Sequence, residues 1–299
     1  MIAAIPPLSP GSLLTQWVFD PVAVTLTVGA GLAYAAGIRR LAARDRAWRP
    51  ARTVSFFAGL TALLIATTSG IAAYDTTRFS MHVVQHVLLG IVAPLLLALG
   101  APVTLLVQAA RRPTQRNVIR VLHSRPVAVI GHPVVAWLLF GLTLFALYFS
   151  PLYELSLRNG VVHAWVHIHF VVVGSLFFWA VIGIDPAGRR LPHGARLLLV
   201  LLTVPFHAFL GLALMSTTTP IAADWYTSLA TVTPAALLDD QQAGAAVMAL
   251  IGDLVGLVAG LIVALDWFHA DQRRARRIDR RLDLAEAVGA TPAATATSE

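Results

Sequence analysis

Seven long apolar stretches limit what this chain can fold into. A segment that crosses a bilayer has no water to bond its backbone, so it must be a helix or part of a closed barrel. A spanning helix needs about 20 mostly apolar residues. The stretches cover roughly residues 20–38, 53–74, 80–99, 132–150, 162–184, 195–215 and 243–266. We therefore predict an all-α fold, a polytopic transmembrane helix bundle with seven spans.

The composition agrees with a membrane protein and excludes several function classes. Hydrophobic residues make up 57% of the 299 residues and charged residues only 12%, too few to cover a soluble domain. The net charge of +7 comes from arginines between the apolar stretches, which membrane topology explains, so we expect no nucleic-acid partner. The absence of cysteine excludes disulfides and thiolate metal sites.

The arginines predict the orientation of the chain, because cytoplasmic loops keep an excess of positive residues. Basic clusters follow the first, third, fifth and seventh stretches. Their members are Arg39, Arg40, Arg44, Arg46, Arg49 and Arg52; Arg111, Arg112, Arg116, Arg120 and Arg125; Arg189, Arg190 and Arg196; and Arg273, Arg274, Arg276, Arg277, Arg280 and Arg281. Only Arg78 and Arg158 remain for the other side. We therefore predict an external amino terminus and a cytoplasmic carboxyl terminus.

The parts of the chain around the spans complete the predicted organisation. Residues 1–19 form an extracytoplasmic leader without the basic start of a signal peptide. Residues 20–268 form the seven-span domain, in which 101–122 are expected to lie as a helix at the cytoplasmic interface. Residues 269–299 form a cytoplasmic tail that is first basic and then, from Ala285, disordered, because it has no apolar periodicity.

Two histidine pairs stand near the starts of the third and fifth stretches. His82 and His86 are four residues apart, as are His163 and His167, and this spacing stacks two imidazoles on one helix face. Both spans run inward in the predicted orientation, so all four rings are expected in the outer half of the bilayer. One pair alone is equally compatible with interfacial histidines bonded to water and headgroups. Two pairs at matched depth favour a shared site.

The pairs have the chemistry of metal ligands rather than of an enzyme. Val83 and Ala164 follow the first histidine of each pair, where a zinc protease needs its glutamate base, so we predict a non-enzymatic protein. Imidazole suits copper, zinc, iron and nickel, and a nearby thioether favours cuprous ion. We predict that the four histidines bind one metal ion, with Met81 as an auxiliary ligand.

Two further ionisable residues, His207 and Asp253, lie near the middle of the sixth and seventh stretches. Facing lipid is costly for either side chain. We predict that they approach each other in the bundle interior. There they would relay a proton, hold a ligand or join the two helices.

Several motifs resemble those of the multi-pass CtaG-type cytochrome c oxidase assembly factors. The most specific is the run Phe79–Leu89 (FSMHVVQHVLL), which continues through Ala93–Leu96 to Leu99–Pro102. The further matches are His132-Pro133, Tyr148–Tyr153, the pair of His163 and His167, and Asp240–Gly244. The resemblance extends across all seven predicted spans.

The resemblance implies a function that the residues alone do not. It implies a bacterial inner-membrane protein that helps to build a haem-copper oxidase, binding copper and passing it to an oxidase subunit or another copper chaperone. The resemblance does not determine whether the bound ion is Cu(I) or Cu(II). The residues themselves leave two alternatives. One is a membrane b-type haem protein or electron carrier, since histidines on neighbouring helices can ligate haem iron. The other is a cation transporter, which requires a polar path to the cytoplasm.

Overall fold

The computed structural model describes residues 6–186, 191–229 and 233–289, and all regular secondary structure in these ranges is helical. The helices are α1 (Pro10–Thr15), α2 (Pro21–Ala42), α3 (Pro50–Thr68), α4 (Gly70–Tyr74), α5 (Phe79–Val87), α6 (Ala93–Leu99), α7 (Pro102–Ala109), α8 (Arg112–Leu122), α9 (Arg125–Ile130), α10 (Pro133–Tyr148), α11 (Leu152–Arg158), α12 (Gly160–Ile182), α13 (His193–Ser216), α14 (Ala223–Ser228) and α15 (Pro234–Gly289). A π-helical turn, Leu88–Val92, joins α5 to α6. The predicted all-α fold is confirmed.

Six helical segments are long and apolar enough to cross a membrane. They are Pro21–Ala42, Pro50–Tyr74, Phe79–Ala109, Gly160–Ile182, His193–Ser216 and Ala235–Leu284. The predicted span at 132–150 corresponds to α10, which bends by 70° into the short helix α11. If this bent pair is one crossing, the described residues contain seven spans. The chain is therefore a multi-pass helical protein, and the count of seven stays a prediction.

Side-chain caps begin two of the spanning helices. The Asp20 carboxylate accepts hydrogen bonds from the first backbone N–H groups of α2, and Pro21 supplies a first-turn residue that needs no such partner. The Asn159 side chain caps α12 in the same way. This cap fixes where α12 begins, so His163 lies one turn inside the helix.

The core of the bundle lies between α5, α12, α13 and α15. Helix α15 packs along α13 and α5, while α12 packs on the π turn and on α6. The largest apolar cluster joins these helices and contains Phe177, Leu147 and Leu210. Helix α2 lies at the periphery against α3 and α7, with a smaller cluster around Tyr34 and Leu105. The two helices that carry the histidine pairs are thus in the core, and α2 is beside it.

Two glycines bring α12 against the π turn. A Cβ atom at Gly174 would overlap the carbonyl oxygen of Gly90 and press on the Pro94 ring. A Cβ atom at Gly90 would meet the Phe170 ring at 2.7 Å. Only glycine permits this approach, because every other residue carries a Cβ. The contact holds the two histidine helices side by side.

Three parts of the chain differ from the sequence-based expectation or lie beyond the described ranges. The predicted interfacial helix at 101–122 is two helices, α7 and α8, separated at Ala110 and Arg111; α8 has no buried residue. Helix α15 extends to Gly289, so residues 285–289, expected to be disordered, are helical. Residues 1–5, 290–299 and the predicted cytoplasmic arginines Arg189 and Arg190 lie outside the described residues.

We expect Gly174→Ala to lower the free energy of unfolding by about 1–3 kcal/mol, the usual cost of overpacking a filled interior. Gly29→Ala is the matched control, since a Cβ at Gly29 meets nothing within 4 Å. Thermal unfolding of both variants in detergent measures the difference. Equal midpoints for the two variants would show that the close approach of α12 does not contribute to stability.

Candidate metal centre

The four predicted histidines come together where α5 faces α12. The ring centroids of His82 and His163 are 5.5 Å apart, and those of His86 and His167 are 5.7 Å apart. Along each helix, the ring centroids lie 4.1 Å apart for the α5 pair and 4.2 Å apart for the α12 pair. The rings therefore form a four-cornered cluster, with two imidazoles from each helix.

The imidazole nitrogens in this cluster are buried and largely without hydrogen bonds. His82 is fully buried and His86 is 3% exposed. Five nitrogen atoms have neither solvent contact nor a partner: both ring nitrogens of His82, Nε2 of His86, Nδ1 of His163 and Nε2 of His167. A buried polar atom without a partner costs on the order of 1–3 kcal/mol. A neutral imidazole carries one N–H and one lone pair, so each of the four rings offers one nitrogen that could bind a metal ion.

Asp75 is a member of the site that the sequence analysis missed. It is buried in the turn before α5, and its Oδ2 lies 3.1 Å from Nε2 of His163. One ligand atom each from Asp75, His163 and His167 lie within 4.8 Å of one another. A carboxylate on the far nitrogen of a ligand histidine orients the ring and leaves the other nitrogen free for a metal. The available signal was a lone acid seven residues before His82, between two predicted spans.

Aromatic side chains cover the histidine cluster. The bend between α10 and α11 brings Tyr153 onto His82, with ring centroids 4.8 Å apart. The hydroxyl groups of Tyr153 and Tyr226, which lies on α14, are 2.7 Å apart and form a hydrogen bond. Burial raises the pKa of the Tyr226 phenol, so this hydroxyl stays protonated. On the other side, the Phe170 ring stacks on His86 at 4.4 Å. These rings separate the cluster from bulk water.

Met81 does not lie on the face of α5 that carries His82 and His86. It precedes His82 by one residue, which turns its direction by about 100° from the histidine face of α5. Its side chain is half-buried. The proposed role of Met81 as an auxiliary ligand therefore stays a prediction.

The second predicted group, His207 and Asp253, lies on two helices that pack closely. His207 is 2% exposed, and its ring rests on the backbone of Gly252 in α15. Its Nδ1 lies 3.1 Å from the Thr203 carbonyl oxygen. Within the described residues, neither Nε2 of His207 nor Oδ1 of Asp253 has a hydrogen-bond partner. The helices are adjacent, and a direct contact between these two side chains stays a prediction.

The polar residues at the start of α15 have structural contacts. The Asp240 carboxylate accepts hydrogen bonds from the backbone N–H and hydroxyl of Ser80, at the start of α5. Gln241 is buried and bonds to Ile221 and Leu214 through both ends of its amide. These residues join α5, α13 and α15 at the end of the bundle where α5 begins. They explain part of the Asp240–Gly244 motif as architecture.

The chain is similar to several mycobacterial proteins. Uncharacterized proteins of Mycobacterium bovis and Mycobacterium tuberculosis are each 35% identical over 278 residues, and one of Mycobacterium leprae is 35% identical over 276 residues. The matches cover 90–91% of this chain and 42% of each relative, so the chain spans less than half of their length. No solved structure matches.

Residues 32–270 match the family described as cytochrome c oxidase caa3 assembly factor, a range that includes every histidine of the cluster and Asp75. The match covers most of the chain and confirms the family resemblance of its motifs. The chain belongs to the cytochrome c oxidase caa3 assembly factor family.

Proposed function

We propose that this protein binds copper at the cluster of His82, His86, His163 and His167 and supplies it during assembly of a cytochrome c oxidase. The observation that carries the proposal is the set of five buried, unpartnered imidazole nitrogens in one cluster. Family membership supports the assembly role. Copper is the cargo in this proposal, and the protein catalyses no reaction on it.

The ligand chemistry supports copper over harder ions. Imidazole nitrogen is a good ligand for copper, whereas magnesium and calcium prefer several oxygens. Asp75 is the one carboxylate that contacts the cluster within the described residues, and it is engaged with His163. Such a site holds little negative charge, which favours an ion of low charge in a buried, apolar setting.

A groove beside the cluster supports transfer within the membrane. His167 borders a surface groove of about 710 Å³ between α2 and α12, whose walls include Leu26 and Val172. These wall residues are apolar and exposed. An oxidase subunit or another chaperone that docks along this groove would meet the edge of the histidine cluster, so copper would pass on without release to water.

The haem alternative fits this geometry poorly. A haem held between His82 and His163 would need its macrocycle to extend along the helices. There it would overlap the next pair of rings, whose centroids are only about 4.1–4.2 Å away. A copper protein has no Soret band. A purified protein with stoichiometric haem absorption would replace the copper proposal with the haem carrier.

The arginine distribution supports the proposed orientation, with the cluster in the outer half. One surface cavity is lined by arginines from two parts of the chain. Arg44 and Arg46 follow α2, and Arg111 and Arg112 lie at the start of α8. Basic groups from two separate loops thus meet on one side of the bundle. Positive residues mark the cytoplasmic side, and the histidines lie toward the opposite side.

We expect alkaline phosphatase fused after residue 289 to be inactive in cells, because this enzyme needs an oxidising external compartment to form its disulfides. The matched fusion carries the same enzyme after Arg158, in a loop that is predicted to be external, and is expected to be active. Cell-surface and lysate activities of both fusions measure the orientation. Activity of the carboxyl-terminal fusion would reverse the topology and move the histidines to the cytoplasmic side.

Alanine at His82, His86, His163 and His167 together should abolish copper binding, because every imidazole of the cluster is removed. Loss of both members of one helix pair should also abolish copper binding at the cluster, while loss of one ring should weaken it. Anaerobic metal analysis and competition titration of purified protein measure the effect. Oxidase assembly in cells that carry each variant is the second readout.

The control for the histidine variants is the double variant His123→Ala/His269→Ala, in which neither changed residue is buried and both are distant in sequence from the cluster. It should bind copper as the wild type does. Wild-type copper content in the quadruple variant, with normal oxidase assembly, would contradict the proposal.

Asp75→Ala should weaken copper binding by about 10–100-fold, the usual effect of removing a carboxylate that orients a ligand histidine. The matched control is Asp239→Ala, whose side chain is not buried. Competition titration with a chromophoric copper chelator measures both. Equal affinities of the two variants would show that Asp75 neither orients nor contributes a ligand.

A further inference from the structure

A small cavity lies beside the histidine cluster, enclosed by α5, the π turn, α10, α12, α13 and α15. Its volume is about 20 Å³, enough for one water molecule or one metal ion. His86 of the outer cluster lines it, as do His207, Met248 and Tyr148. The remaining walls are mostly apolar side chains and the glycines of the close helix contact.

His207 presents a bare nitrogen in this region. A backbone carbonyl can only accept a hydrogen bond, so the contact of Nδ1 with the Thr203 carbonyl places the ring proton on Nδ1. Nε2 then carries a lone pair, and it is buried without a partner. The same pattern, a carbonyl on one nitrogen and a free second nitrogen, prepares histidines for metal binding.

Met248 adds a soft ligand to the same wall. It is 2% exposed and lines the cavity from α15. A thioether is a weak hydrogen-bond acceptor, so it would stabilise a water molecule in the cavity only weakly. It is, however, a preferred ligand of cuprous ion. Two imidazoles and one thioether form a neutral donor set that suits a monovalent, soft cation.

The charge around the cavity also matches a monovalent ion. Within the described residues, no carboxylate or guanidinium lines the cavity. The carboxylate that interacts electrostatically with His207 is that of Asp253, which has a buried oxygen without a hydrogen-bond partner. One negative charge balances one cuprous ion, whereas a divalent ion would remain uncompensated in a medium of low dielectric constant.

We propose that this cavity is a second, inner site for a cuprous ion, held by Nε2 of His207 and the thioether of Met248, with His86 shared between the inner site and the outer cluster. The proposal rests on the copper function proposed above. The shared imidazole gives an ion a path between the two sites by exchange of ligands. The copper stays Cu(I) in this exchange, so no oxidant or reductant is needed.

Anaerobic Cu(I) titration of the full-length protein in detergent, together with copper X-ray absorption, tests the inner site. The wild type should bind two ions and show a sulfur scatterer. Met248→Leu, which nearly conserves volume, should lose the sulfur scattering that belongs to the second ion and weaken the binding of that ion by at least about tenfold. His207→Phe should lose the second ion. Met215→Leu, at an exposed position on α13, should retain both ions.

The outcomes separate the inner site from the proposed function. A wild type that binds one ion through nitrogen alone, or a Met248→Leu variant that keeps two ions with unchanged affinity, would overturn the inner site and leave the outer one intact. A wild type that binds no copper would overturn both. Thermal unfolding of each variant, measured in parallel, shows whether the variant is folded. A folded His207→Phe protein that still binds two ions would also overturn the inner site.

Discussion

The contact between Gly174 and the carbonyl of Gly90 sets the distance between α12 and the helix that carries His82 and His86. Because no side chain stands between the two backbones, the helices run side by side, and the histidines that precede the contact on each helix meet in register. Each imidazole of one helix therefore faces an imidazole of the other. The π turn follows soon after His86, and such turns are frequent at functional sites.

The cluster is costly to keep without a ligand. Imidazole nitrogens removed from water need partners, and in an apolar bundle each one without a partner is unfavourable. A protein that needed only helix packing would do better with apolar side chains of similar volume. The Asp75 contact and the aromatic cover by Tyr153 and Phe170 are features that a buried metal site needs, and they support the copper proposal.

Helices α11 and α14 hold the aromatic cover over the histidines. The 70° bend between α10 and α11 turns Tyr153 over the histidines, and α14 holds it through Tyr226. Trp225 of α14 donates to the carbonyl of Thr76, in the same turn as Asp75. The cover and the carboxylate are thus connected, so access to the cluster and the orientation of His163 depend on the same small group of contacts.

The sequence by itself determined the helical class, the approximate spans and the histidine pairs. Apolar length and the i,i+4 spacing are local properties, and they depend only on the rise and turn of a helix. The same locality explains the family motifs, which lie within single helices or turns. The two histidines of each pair could also be assigned to one helix face from the sequence, because this assignment requires no knowledge of a neighbouring helix.

Only the tertiary structure decided which faces meet. Asp75 lies 88 positions from His163, and Met248 is distant in the chain from His86, so no periodicity connects them. By contrast, the division of residues 101–122 into α7 and α8 and the bend after Tyr148 have a local cause, since Pro113 and Pro151 stand at the two breaks. Contacts between distant segments arise from shape complementarity between helices, above all where glycine removes a side chain. A single sequence contains the residues for these contacts but not the choice of partner.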